Sequence, residues 1–289
     1  MRIGVVFPQT ELGGDVGAVR AYGEAVEGLG FTHLLAYDHV LGADPGAHPD
    51  WNGPYDVTTT FHEPFVMFGY LAALTSVELV TGIIILPQRQ TALVAKQAAE
   101  VDLLTGGRFR LGIGVGWNPV EYDALGQSFS ERGRRMTEQV DLLRRLWTEP
   151  AVTFDGTYDR VAGAGLAPPP IQRPIPIWMG GSSPAAYRRI GRQGDGWFPM
   201  ARPGPQLDEA LAIVATAADE AGRDPAAIGM EGRVTWKPDG DKLARQVDRW
   251  RAAGASHLTI DTMYTDRPGV QGHLDALTDA AEVVGLAGH

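Results

Sequence analysis

The chain has 289 residues, with 35 acidic against 25 basic side chains for a formal net charge of -10, and it has no cysteine. Surplus negative charge repels nucleic acid and anionic lipid, so neither is an expected partner, although a local basic pocket for a phosphate stays open. Without cysteine there is no disulfide framework, no thiolate nucleophile and no cysteine metal site, and the cytoplasm is the expected compartment.

In chain order the sequence repeats a strand followed by a helix. Ile3 to Phe7 is an apolar run of the kind a parallel sheet buries on both faces, and too short for a signal segment. Asp15 to Leu29 carries Val16, Val19, Tyr22, Val26 and Leu29 at helical spacing, with Gly30 as the stop. His33 to Tyr37 is the second strand. Residues Asp38 to His62 lack periodicity, a length that in a compact domain marks a functional loop. Glu63 to Thr75 restores a helix, Leu79 to Leu86 is a third strand interrupted by Gly82, and Thr91 to Leu104 is an alanine-rich helix.

Phe109 to Val115 is the fourth strand, thinned by Gly112 and Gly114 so that a ligand or another segment can approach. Asn118 then stands as N-cap and Pro119 as the first residue of a helix. Met136 to Trp147 is amphipathic, and Thr153 to Val161 reads as an inserted hairpin. A proline-rich connection leads into a fifth strand, Ile175 to Met179, and Gly196 to Pro199 is a short sixth. Helix Leu207 to Ala221, strand Met230 to Trp236, helix Leu243 to Ala253, strand His257 to Asp261 and helix Val270 to Val284 complete the pattern.

Strands and helices alternating in this number predict a (β/α)8 barrel, read as a single domain over residues 1–289. A doubly wound sheet is the weaker option, because Pro8-Gln9-Thr10 follows the first strand where a dinucleotide fold needs a glycine-rich turn. Chemistry in a barrel is done at the carboxyl ends of the strands. That rim includes Asp38-His39, Trp117-Asn118, Gly180-Gly181-Ser182-Ser183 and Trp197-Phe198. Two glycines, two hydroxyls and a helix beginning at Pro184 make residues 180–183 an expected anion cradle, against the alternative of a plain turn. Asp38 beside His39 can hold an imidazole in one tautomer for proton transfer, or the pair can be purely structural. No histidine spacing here suits a metal, and none is expected.

The ordered motifs YDHV (37–40), TGIIILPQR (81–89), GGRFRLGIGVGWNPVEYDALG (106–126), PIWMGGSSP (176–184) and GDGWFP (194–199) resemble the luciferase-like superfamily. Within it the chain is most similar to the coenzyme F420-dependent oxidoreductases. The resemblance implies a (β/α)8 barrel holding a flavin or deazaflavin at the strand ends. It assigns Asp38, Gly82, Ile83, Ile85, Val115, Gly116, Gly180, Gly181, Ser182 and Ser183 to the cofactor's ring and phosphate. It matches His39 to a catalytic histidine of the group's sugar-phosphate dehydrogenases, and implies a cis peptide at Gly82-Ile83. The sequence departs from those enzymes at Trp117, where they carry a glutamate directly after the Gly-x-Gly of the fourth strand.

The expected reaction is hydride transfer between F420 and a small organic substrate, with His39 giving or taking a proton. Trp117, Asn118, Trp197 and Phe198 are expected to contact the substrate, the aromatics forming an apolar wall. FMN in the same cradle is the alternative, supporting monooxygenation with reduced flavin from a partner reductase. A flavin-binding barrel without turnover is a third reading. Relatives commonly pair, so a homodimer is expected.

Overall fold

The computed structural model describes residues 1–265 and 267–286. Its framework is a closed parallel barrel. Strand β1 (Arg2–Val6) lies between β2 (His33–Ala36) and β11 (His257–Asp261). From β2 the sheet passes to β3 (Glu78–Thr81), which pairs in turn with β5 (Phe109–Gly114). From β5 it continues through β8 (Ile177–Gly181), β9 (Gly196–Pro199) and β10 (Gly229–Thr235) to β11. A short β4 (Ile84–Ile85) completes the stave begun by β3 and also pairs with β5. With β3 and β4 counted as one stave, the described residues give the expected eight.

Alternation along each strand sends one side chain into the lumen and the next toward the helices. Outward-facing Ile3, Val5, Leu34, Leu79, Leu111, Ile113, Ile177 and Ile260 join the main core beneath the helical ring. After a short α1 (Gln9–Leu12), that ring includes α2 (Val16–Gly28), α3 (Pro64–Leu71), α4 (Thr91–Leu104), α6 (Arg132–Thr148), α7 (Pro184–Gln193), α8 (Pro205–Glu220), α9 (Gly240–Ala252) and α10 (Gly269–Val284). Inside the lumen, Val6, Leu35, Val80 and Met263 form a small apolar plug against Tyr37 and Phe198.

A polar layer shares the lumen. Glu231 accepts from Arg110 Nη1 at 2.6 Å and from Thr259, and its Oε1 lies 3.0 Å from His33 Nε2. The Arg110 guanidinium also stacks over Trp178, 4.1 Å from the ring centroid. Burial opposes charge on Glu231, but Arg110 and His33 outweigh it and hold the carboxyl well below its ordinary range.

Between β3 and β4 the register slips. Val80 faces Arg110 and Ile84 faces Ile113, so the upper strand carries one more residue than its partner, which is a β-bulge. Thr81 repairs the broken ladder with its side chain: Oγ1 donates to the Gly112 carbonyl at 2.7 Å and accepts from the Gly112 N–H at 2.8 Å. A side chain on Gly112 has no room, because a Cβ there would sit 1.8 Å from the Thr81 carbonyl oxygen. The third strand expected from Leu79 to Leu86 with an interruption at Gly82 is two strands with Gly82-Ile83 bulging between them, and that peptide is cis, as the resemblance implied.

Two further boundaries differ from expectation. The fifth strand of the sequence reading begins at Ile177 rather than Ile175, since prolines 174 and 176 lack the N–H a ladder needs, and it runs on through Gly181. The inserted hairpin pairs β6 (Val152–Asp155) with β7 (Arg160–Ala164).

Candidate active site

Above the plug, the carboxyl ends of the strands enclose a cleft of about 370 Å³. Gly82, Ile83 and Gly114 line it from the bulge and β5, Val115 to Trp117 from the segment after β5, and Gly180 to Ser183 from β8 and its turn. Phe198 and Met200 close it beside β9, and Tyr37 and Arg233 stand where β2 and β10 end. The Ile83 side chain lies in a slot that glycine alone leaves open. A Cβ on Gly114 would stand 2.7 Å from Ile83 Cδ1, and one on Gly180 would stand 3.3 Å from Ile83 Cγ2. The bulge thus presents the apolar Ile83 side chain to the cleft.

The strand-to-helix turn at residues 180–184 is built as its sequence reads. Ser183 is the N-cap of α7, its Oγ accepting from Ala186 N–H at 3.2 Å, and Pro184 occupies the first turn. Ser182 and Ser183 are exposed on the cleft lining, at the positive end of the α7 dipole.

His39 does not line this cleft. Its ring lies in an adjoining cavity of about 330 Å³ beneath the loop that follows β2, and Trp117 lines both spaces. Phe61, Tyr55 and Trp117 surround the imidazole with ring centroids 4.8, 5.5 and 5.5 Å away. The carboxylate that orients it is Glu121, not Asp38: Nδ1 lies 3.2 Å from Glu121 Oε2. Glu121 is fully buried at the start of helix α5 (Pro119–Ala124), and Gln88 Nε2 and the N–H groups of Val40 and Leu41 also donate to it. Burial raises its pKa, but the donors, His39 and Gln88 first, more than compensate and hold the carboxyl below its ordinary value. An ionised Glu121 accepts the proton of Nδ1, and Nε2 is then the ring nitrogen left to exchange one.

Three expected positions lie outside the cleft lining. The Asp38 carboxylate is taken up by Ile85 N–H at 3.2 Å and Arg89 Nη2 at 2.8 Å, away from the cleft lining. Ile85 is buried behind the bulge, its side chain against Gly116, rather than facing the cleft. Trp197 alternates with Phe198 and so points outward, buried in the main core with its ring 5.8 Å from Tyr187. Gly82, Ile83, Val115, Gly116, Trp117, Gly180, Gly181, Ser182, Ser183 and Phe198 all converge on the cleft. Asn118, the N-cap of α5, lines the His39 cavity. Glu121 is the residue the sequence reading missed; its place three residues after an N-cap asparagine reads as an ordinary helix-capping glutamate.

The chain belongs to the luciferase-like monooxygenase family, whose profile matches residues 1–283. It is an oxidoreductase of that family, and its relatives include dehydrogenases. An F420-dependent hydroxymycolic acid dehydrogenase of Mycobacterium tuberculosis is 31% identical over 267 residues, covering 88% of this chain and 68% of the relative. An F420-dependent glucose-6-phosphate dehydrogenase of Intrasporangium calvum is 35% identical over 190 residues, covering 63% of this chain and 53% of the relative. Among solved structures, an F420-dependent secondary alcohol dehydrogenase in complex with an F420-acetone adduct superposes with a TM-score of 0.78. It covers 99% of this chain and 98% of its own at 18% identity, a likeness of fold alone. Among the described residues no helix is long and apolar enough to cross a membrane.

Proposed function

We propose that the chain is an F420-dependent oxidoreductase, moving a hydride between the deazaflavin and a small organic substrate, with His39 as proton donor or acceptor. The observation that carries this reading is the Ile83 slot and the Gly180 to Ser183 cradle sharing one cleft. An apolar surface suits a fused aromatic ring, and the glycine-serine turn at a helix N-terminus suits its phosphate. Bound there, the deazaflavin would supply a carbon centre that accepts or releases hydride and reacts poorly with oxygen.

The chain's own residues supply the rest. Ile83 and Val115 would support the ring, while Ser182, Ser183 and the neighbouring N–H groups would hold the anionic end. Trp117 and Phe198 wall the substrate and exclude water. Glu121 pins His39 Nδ1, so Nε2 is the atom that gives or takes the proton, across the space that Trp117 borders. The same reading takes residues 1–289 as one barrel domain, acting in the cytoplasm on a small molecule and pairing as a homodimer.

Separate calorimetric titrations with oxidised F420 and with FMN test the cofactor. Saturable binding that is tighter for F420 is expected. Tighter FMN binding would overturn it in favour of a flavin monooxygenase, the activity in the family's description.

A further inference from the structure

Among the described residues, the cofactor cleft and the His39 cavity share one wall residue, Trp117. A substrate that meets a hydride donor in the cleft and His39 beyond it must therefore cross at this indole. The benzo edge of the ring is seated under the loop that follows β2. It is tilted against Trp51 with centroids 5.5 Å apart, and a Cβ on Gly53 would stand 2.3 Å from Trp117 Cζ3. Gly53 thus leaves the gap that the indole fills.

The indole N–H belongs to the opposite, pyrrole side of the ring. Trp51 and Trp147 direct theirs to the Tyr55 and Ala95 carbonyls, at 3.2 and 3.0 Å. Trp117 is 37% exposed, and among the described residues its N–H makes no such bond. That group donates and never accepts, so it suits a ligand oxygen with a lone pair. Charge narrows the choice further. Asp56 lines the His39 cavity, ionised Glu121 lies behind the imidazole, and among the described residues no lysine or arginine lines this space. An anionic ligand would be repelled there.

We propose that Trp117 is a specificity-determining residue that selects an uncharged substrate, an apolar frame bearing a carbonyl or hydroxyl oxygen. The indole packs against the frame, and its N–H donates to the oxygen. A polyol is selected against, because each further hydroxyl leaves water without a partner in this aromatic surround. The assignment rests on the oxidoreductase reading above, but the binding it describes needs no added cofactor.

The test titrates the full chain, followed by fluorine NMR, with para-fluoroacetophenone, with para-fluoroethylbenzene as the same frame without its oxygen, and with fluorodeoxyglucose as an uncharged polyol. Saturable binding of the ketone is expected, tighter than that of the sugar by about tenfold or more. In Trp117→Phe the ketone-to-hydrocarbon affinity ratio should fall by about two- to tenfold, the scale of one neutral hydrogen bond. Trp117→Glu, which replaces a donor on an apolar ring with a charged acceptor, should weaken ketone binding by about tenfold or more. Thermal melting checks that the variants fold. The ratio compares two ligands on one protein, so a general loss of affinity leaves it unmoved.

No saturable ketone binding to the unaltered chain, the sugar bound as tightly, or an unchanged ratio in Trp117→Phe would overturn the proposal. A separate F420 titration keeps the two claims apart. F420 bound without the ketone defeats this proposal alone, and the ketone bound without F420 defeats the cofactor reading alone.

Discussion

Replacing Thr81 with valine keeps the side-chain volume but removes the hydroxyl that bridges the bulge. The Gly112 N–H and carbonyl would both lose their partner, and both are buried. Each stranded backbone group costs about 1–3 kcal/mol, so the pair should destabilise the fold by about 2–4 kcal/mol once local relaxation is allowed. In a barrel of this size, each kcal/mol lowers the melting temperature by about 2 °C or somewhat more, so Thr81→Val should melt about 5–10 °C lower. Thr81→Ser keeps the hydroxyl and should retain most of the difference. Because Gly82 and Ile83 adjoin this anchor, cofactor affinity should fall with stability in the valine variant and recover in the serine variant. Differential scanning calorimetry of the three proteins decides the matter. A valine variant melting within about 1 °C of the parent would refute the reasoning, since the bulge would then hold without its bridge.

His39→Ala should slow the chemical step by about 10²-fold or more with little change in cofactor affinity; an unchanged single-turnover rate would make His39 structural. Glu121→Gln should also slow that step and alter its pH profile, because a neutral amide no longer fixes the proton on Nδ1; an unaltered profile would exclude that role. Ser182→Glu with Ser183→Asp preserves a capping oxygen at 183 while placing negative charge at the cradle, and should abolish cofactor binding. Undiminished affinity there would move the phosphate elsewhere. Burial and the nearby Arg110 push His257 down to about 3 from 6.5, so the folded chain leaves it neutral while the unfolded chain takes up a proton. Stability should therefore fall as pH drops from about 6.5 toward 3, by less than about 1.4 kcal/mol per pH unit at this partly exposed site. His257→Asn should flatten that slope in melting experiments, and an identical slope would assign it to other groups.

The barrel was legible because apolar runs of strand length alternate with helical spacing, and the capped turn at 180–184 because two glycines, two serines and a proline form a local turn with local physics. The bulge announced itself through Gly82. What could not be read were facts that depend on register and long-range contact. Trp197 and Phe198 are neighbours of similar character, and only the pairing of Phe198 with Gly180 settles which one faces the cleft. Asp38 and His39 are adjacent in sequence, yet Asp38 finds Arg89 and His39 finds Glu121. Glu121 reaches back 82 residues to His39, a contact that no local pattern encodes. The glutamate absent at Trp117 is thus not the only source of a carboxylate in this segment, since Glu121 stands four residues on.

A crystal structure of the chain with F420 tests the central claim most directly. The expected result is ring density against Gly82 and Ile83, with phosphate oxygens about 2.7–3.2 Å from donors of residues 180–183. A ring bound outside this cleft, or a phosphate held away from that turn, would contradict the assignment.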